Sequence, residues 1–192
     1  MKKIGLVGED PNDTTSIKNL LDGKHPKAFQ YKQLLKNARG HQLNNKRVDA
    51  ALKIEFEEYN PHCVIFIRDS DSLPTEKEKI QEAINWFYKL NDTVNKQGIF
   101  LLNIYELEAL ILADISTFNK EYKTTIKFTG NVMYQKEPKE FLIHKTFKSK
   151  KTYTESHCPE LFKKLSFDLL IANCKYFFDF HTEFKRVTQI KE

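Results

Sequence analysis

The stretches KIGLVGEDPND, residues 3–13, and CVIFIRDSD, residues 63–71, decide the fold. Each begins as a short apolar run and ends abruptly in carboxylates. The second run, Cys63 to Ile67, is apolar without interruption, as in a strand covered on both faces. Arg68, Asp69, Ser70 and Asp71 follow it directly. In the first, Lys3 to Gly8 leads into Glu9, Asp10, Pro11, Asn12 and Asp13. A carboxylate just past a buried strand faces solvent from a rigid support. In open α/β sheets, ligands bind at that carboxyl edge.

Outward from these runs, strand and helix alternate. Thr14 to Leu21 has apolar residues at 17, 20 and 21, predicting a helix with Asp13 as N-cap and Gly23 as stop. Ala28 to Leu35 reads as a weak strand, broken by Gly40. Asn45 to Tyr59 reads as a helix with Val48, Ala51, Leu52, Ile54 and Phe56 as core candidates, ended by Asn60-Pro61. Pro74 opens a helix through Ile80, Ala83, Ile84, Phe87 and Leu90, and Ile99 to Ile104 is a further strand after Gly98. This order predicts parallel pairing with right-handed crossovers. Glu106 to Leu112 then begins an apolar helix. The tail is mainly helical, with Leu161, Leu165, Leu169, Leu170 and Ile171, then an aromatic stripe at Tyr176, Phe177, Phe180 and Phe184. The expected fold is α/β: a mainly parallel, Rossmann-like sheet flanked by helices over 1–115. A mixed, mainly helical C-terminal extension over 116–192 packs on it.

Hydrophobic content of 40% and charged content of 30% describe a globular chain. Cys63, Cys158 and Cys174 form no CxxC pair or disulfide framework, so a reduced, cytoplasmic setting is expected. The chain is strand-like by residue 4, and no apolar run is long enough to span a bilayer. Neither a signal peptide nor a membrane association is expected. The net charge is +5, and much of the excess lies between residues 136 and 151. There Lys136, Lys139, Lys145, Lys148, Lys150 and Lys151 stand against Glu137 and Glu140. A basic stretch beside an acidic site suits a polyanionic substrate; a solvated loop accounts for it equally.

Glu9, Asp13, Asp69 and Asp71 are the candidates for chemistry. Alternate residues of an extended segment point the same way, so Asp69 and Asp71 are expected to reach one ion together. Two like charges about 4 Å apart repel by roughly 1 to 4 kcal/mol between water and a protein surface. A hydrated Mg²⁺ relieves that repulsion. The plainer readings are a helix cap for Asp13 and a turn for Asp10 before Pro11. Asp69 resists such a reading because it closes a buried strand. By themselves these residues point to a metal-dependent enzyme acting on phosphate. The histidines at 25, 41, 62, 144, 157 and 181 are scattered, without zinc-site spacing. No Walker loop, GxGxxG or GxSxG occurs. The aromatic stripe has helical spacing and reads as core or partner interface before base stacking.

GEDPNDTTSIKNLL (residues 8–21) and VIFIRDSDS (residues 64–72) together resemble the TOPRIM fold of topoisomerases, primases, recombination proteins and OLD nucleases. That family has a Glu after its first strand and Asp-x-Asp after a later parallel strand; Glu9, Asp69 and Asp71 match. NIYELEALILAD (residues 103–114) resembles small bacterial TOPRIM-like proteins of the OLD-nuclease kind, where an acidic residue opens a helix after the next strand. Glu106 and Glu108 are the corresponding candidates. The tail over 150–187 is similar to the C-terminal part of those proteins. The acidic loop departs from the family, reading Glu-Asp-Pro-Asn-Asp where Glu-Gly is common.

The resemblance implies a Mg²⁺- or Mn²⁺-dependent nuclease cutting phosphodiester bonds, with DNA favoured over RNA, in a bacterial defence or mobile-element system. Glu106 and Glu108 join Glu9, Asp13, Asp69 and Asp71 as metal candidates, and Glu9 is a ligand or general base. A lysine near the scissile phosphate would neutralise developing charge. Lys148, Lys150 and Lys151 are the candidates, Lys151 foremost, and with Lys145 they form the expected nucleic-acid-binding set. The rival reading is a non-catalytic subunit that holds nucleic acid, an ATPase or another protein partner through its helical tail. A homodimer is compatible with either. A phosphohydrolase or receiver-like domain fits Asp-x-Asp at 69–71 less well.

Overall fold

A computed structural model describes residues 1–38 and 40–190; the side chains of His41 and Lys46 lie outside the description, so that histidine is not placed. The chain runs through β1 (Lys2–Val7), α1 (Pro11–Lys24), β2 (Phe29–Gln33), a 3-10 turn (Gly40–Asn44), α2 (Lys46–Tyr59), β3 (Cys63–Asp69), α3 (Lys77–Thr93) and β4 (Gly98–Asn103). The strands form one sheet in the order β2-β1-β3-β4, and every neighbouring pair is parallel. The helix-flanked parallel α/β architecture expected from the sequence is present. The chain steps from β1 out to β2, then returns past β1 to β3. The order therefore reverses between β1 and β3, where Ile4 pairs with Cys63 and Val7 with Phe66. Loops leaving two such strands diverge and open a crevice at the carboxyl edge.

Cys63 to Ile67 are fully buried, which explains their uninterrupted apolar run. Val64 and Phe66 join Val7, Leu52, Trp86 and Leu90 on one face of the sheet. Cys63, Ile65 and Ile67 join Ile4, Leu6 and Ile99 on the other. The second face is covered by the C-terminal helices α4 (Ala109–Ala113), α5 (Ile115–Tyr122), α6 (Pro138–Thr146), α7 (Cys158–Phe162), α8 (Phe167–Asn173) and α9 (Lys175–Thr188). Leu112, Phe118, Leu142, Phe162 and Leu170 belong to the same apolar cluster as β1 and β3. Phe177, Phe180 and Phe184 of the aromatic stripe are buried there too, with Phe184 edge-on to Phe29 at 5.3 Å. Truncating one such ring to alanine costs about 3–5 kcal/mol. Among the described residues, no helix is long and apolar enough to cross a membrane.

Several local expectations need correction. Asp10, not Asp13, caps α1. Asn12 N donates to Asp10 Oδ1 at 2.7 Å, while Asp10 N donates to Asp13 Oδ2 at 3.1 Å, a reciprocal capping box. Pro11 decides this, because proline suits the first helical position, where no N–H is needed. The helix also runs past Gly23 to Lys24. Pro74 lies in a turn, and α3 starts at Lys77. In α2, Val48, Leu52 and Phe56 are buried at four-residue spacing, whereas Ala51 is exposed and Ile54 is 57% exposed. The helix expected from Glu106 begins only at Ala109, leaving Leu107 and Glu108 in the turn before it.

Candidate functional site

Three loops at the carboxyl edge enclose a cleft of about 330 Å³. The β1–α1 turn contributes Glu9 and Asp10, the first turn of α1 contributes Asp13, the end of β3 contributes Asp69, and the turn after β4 contributes Glu108. Lys139 of α6, Glu155 and Cys158 close the cleft from the C-terminal half.

Asp69 ends β3 in register with Asn103, the last residue of β4. Asn103 Nδ2 donates to Asp69 Oδ1 at 2.9 Å. Burial first, then the neighbouring Asp13 charge, holds the Asp69 pKa well above the usual carboxylate range; the Asn103 bond opposes the rise. Burial pushes Asp13 up to about 7; the bond from the Asp10 backbone lowers it, and the charges of Asp10, Glu108 and Glu9 add to the rise. Glu9 is raised by burial, against the pull of Arg68, whose Nε lies 3.5 Å from Glu9 Oε1. Arg68 is itself fixed, with its guanidinium 4.6 Å over the Trp86 ring and a 3.1 Å bond to Asn44 Oδ1.

Glu108 is buried at 4% exposure, and burial raises its pKa. Fully buried Tyr153 donates its hydroxyl to Glu108 Oε1 at 3.0 Å and lies 2.9 Å from Cys158 Sγ. Tyr153 N in turn donates to Thr146 Oγ1 at 2.8 Å. The segment after α6 thus orients a carboxylate that comes from the sheet edge.

This donor set is hard oxygen, suited to Mg²⁺ or Mn²⁺ rather than to a thiolate-preferring metal. Carboxylates that raise one another's pKa are what a divalent cation relieves. Among the described residues, no group of three or more His, Cys, Asp or Glu side chains is positioned to hold a metal ion as it stands. A cation would have to draw these carboxylates together.

The sequence-derived candidates divide. Glu9, Asp13, Asp69 and Glu108 line the cleft. Asp71 does not: it is exposed, with φ +46°, and its N–H donates to Tyr105 O at 3.1 Å. Tyr105, with φ +64°, answers by donating to Ser72 O at 3.2 Å. The strand pleat stops at Asp69, so the expected alignment of Asp69 and Asp71 is lost, although the Asp71 charge still acts on Glu9. Glu106 instead holds Lys139, accepting from its backbone N at 3.1 Å and facing its Nζ at 3.7 Å.

The expected lysines lie elsewhere. Lys151 pairs with Glu121 at 3.2 Å and sits 4.9 Å over the Tyr122 ring. Lys145 lies 5.3 Å over Phe141 and lines a separate hollow with Lys127. Lys148 and Lys150 are exposed on the turn after α6. Among the described residues, the cation that lines the cleft is Lys139, also 3.5 Å from Glu155. Burial acts to lower the Lys139 pKa, but Glu106, Glu108 and Glu155 raise it overall. Its signal in the sequence was its place just after Pro138, a helix-start residue within the basic stretch. Asn103 was passed over inside the run Ile99 to Ile104, its signal being a polar residue that interrupts an apolar strand, while Tyr153 left no local signal. Comparison with family models, curated proteins and solved structures gave no match.

Proposed function

We propose that this cleft binds Mg²⁺ or Mn²⁺ and that the chain is a TOPRIM-type nuclease hydrolysing phosphodiester bonds, with DNA as the favoured substrate. The observation that carries the reading is the meeting of Glu9, Asp13, Asp69 and Glu108 at the carboxyl edge, where the strand order of a parallel sheet reverses. Glu9 and Asp69 follow adjacent parallel strands, as the TOPRIM resemblance requires. Asp69 and Glu108, with Glu9 or Asp13, would hold the cation. When bound, it would supply charge neutralisation and polarisation at the phosphate. Whichever of Glu9 and Asp13 does not hold the cation would stand at the cleft as the base that takes a proton from the attacking water. Lys139 takes the phosphate-neutralising role expected of Lys151, because it lines the same cleft as the carboxylates.

Three free, buried cysteines suit a reducing cytoplasm. The defence or mobile-element setting, and an ATPase as activating partner, rest on family analogy. The test is calorimetric Mg²⁺ and Mn²⁺ binding alongside cleavage of supercoiled plasmid, linear DNA and RNA, comparing the natural chain with Asp69→Asn. Metal-dependent cutting that vanishes in the variant supports the nuclease. Metal binding without cutting favours the non-catalytic subunit. Absence of both sinks the metal site.

A further inference from the structure

The helix α6 carries the cleft lysine at one end and a bare aromatic ring at the other. Lys139, Ile143 and Phe147 recur at four-residue spacing, which places them along one face. Phe147 keeps helical backbone, with φ −55° and ψ −33°, so its Cα lies about 12 Å along the helix from that of Lys139. Phe147 is 71% exposed, more than any other described phenylalanine. The turn that presents it is pinned on both sides. Thr146, fully buried, donates its hydroxyl to Leu142 O at 2.8 Å and accepts from Tyr153 N at 2.8 Å. Ser149 N donates to Thr146 O at 2.9 Å, and Ser149 Oγ donates to Lys151 O at 2.6 Å. The ring thus stands in solvent on a fixed turn, not on a loose loop.

Cations surround it. Lys145, Lys148 and Lys150 are exposed on either side of Phe147 in the chain. Lys151 is paired with Glu121, but among the described residues none of the other three has an acid within ion-pair distance. Lys145 also lines the hollow of about 470 Å³ that it shares with Lys127, Thr124 and Thr125. An uncovered aromatic face and unpaired positive charge therefore lie together at this end of α6.

We propose that this surface binds single-stranded nucleic acid, with Phe147 stacked on one unpaired base and Lys145, Lys148 and Lys150 on the flanking phosphates. The inference rests on the reading of the chain as one that acts on nucleic acid, and it narrows the substrate to a strand with unpaired bases beside the cut. The lysines call for a polyanion, and the ring calls for a partner with flat apolar faces. In a duplex those faces are covered by the neighbouring pairs; only an unpaired base offers one. A bilayer of anionic lipid also matches lysine with phenylalanine. The same helix face, however, begins at Lys139 in a concave cleft whose carboxylates repel anionic headgroups. A thin strand can enter that cleft and still reach Phe147, whereas a flat bilayer cannot.

The probe is a DNA strand of about 12 nucleotides, within the usual site sizes, in which 2-aminopurine alternates with thymine. It is mixed with the whole chain in EDTA, alone or annealed to its complement, so that binding is read without cleavage. Stacking should quench the 2-aminopurine emission. Phe147→Ala should remove the quench and weaken single-strand binding about tenfold, while Phe147→Trp should keep both. Duplex binding should change less than twofold in either variant. Lys148→Ala should make the single-strand salt dependence shallower by about 0.7 in log–log slope. Phe147 is exposed, so melting of its variants should match the natural chain. Unchanged single-strand affinity or a persisting quench in Phe147→Ala overturns the inference, as does an equal loss on duplex. So does Phe147-dependent binding to phosphatidylserine vesicles without binding to the strand, which would assign the surface to a membrane. A chain that binds the strand through Phe147 but cuts nothing with Mg²⁺ supports this inference and overturns the nuclease reading alone.

Discussion

Asp69 and Asn103 end adjacent parallel strands at the same register, and the Asn103 side-chain amide donates to the Asp69 carboxylate over 2.9 Å. That bond is the favourable contact opposing the burial of Asp69. Asn103→Leu keeps the approximate shape and deletes the donor. Stability at pH 7 should fall by about 1–3 kcal/mol in urea unfolding. Mg²⁺ affinity in calorimetry should fall as well, because the carboxylate holds its proton more tightly.

Part of the pH dependence follows from Asp13, whose pKa is pushed up to about 7 in the folded chain against an ordinary value of 3.8, alongside Asp69, Glu9 and Glu108, which burial also raises. The folded state binds the extra proton between these values, so the contribution to stability is present below about 4 and lost as pH rises through about 7. Metal-free melting temperatures should therefore decline from pH 4 to pH 7, and Mg²⁺ should restore part of the loss at pH 8. Asp13→Asn should flatten the decline and raise metal-free stability at pH 8 while weakening Mg²⁺ binding. An unchanged slope in that variant would show that another group carries the pH dependence.

Asp69 and Asp71 should separate sharply despite their shared motif. Asp69→Asn removes a buried cleft carboxylate, and metal affinity should drop at least tenfold. Asp71→Asn alters an exposed residue in a left-handed conformation that asparagine tolerates. Its effect on affinity should stay within about threefold by the same calorimetry, and its melting should be unchanged.

For the lysines, Lys139→Met should lower plasmid cleavage on the order of a hundredfold, as loss of a charge-stabilising group does. Lys151→Met leaves Glu121 paired with Lys164 at 2.6 Å and only uncovers the Tyr122 ring, so cleavage should stay within twofold. The opposite ranking would return the catalytic assignment to Lys151.

Tyr153→Phe leaves Glu108 without its buried hydroxyl donor. A cost of about 1–2 kcal/mol in unfolding is expected, with weaker Mg²⁺ binding at constant pH. If stability falls and affinity does not, Tyr153 serves the core alone.

Glu9 and Asp69 were legible because each follows an apolar run that could only be a strand, and strand ends in parallel sheets place side chains at one edge. The phenylalanines of α9 were legible as a packed stripe by their helical spacing. Asp71 was misplaced because alternation holds only while the pleat continues, and here the chain turns left-handed one residue after Ser70. Lys139 was hidden among neighbouring lysines because charge density in a sequence does not say which cation a helix will aim inward.

The sequence by itself determined the parallel α/β core and the acids that close two of its strands, because burial and backbone periodicity are local demands written in residue order. Tertiary structure decided which groups share the cleft. Glu108 and Tyr153, 45 positions apart, meet through a buried hydrogen bond. Lys139 reaches the β3 and β4 ends only because the C-terminal helices bury their apolar faces on the sheet. Such meetings arise from packing a shared core, a property of the whole chain that no short stretch of it encodes.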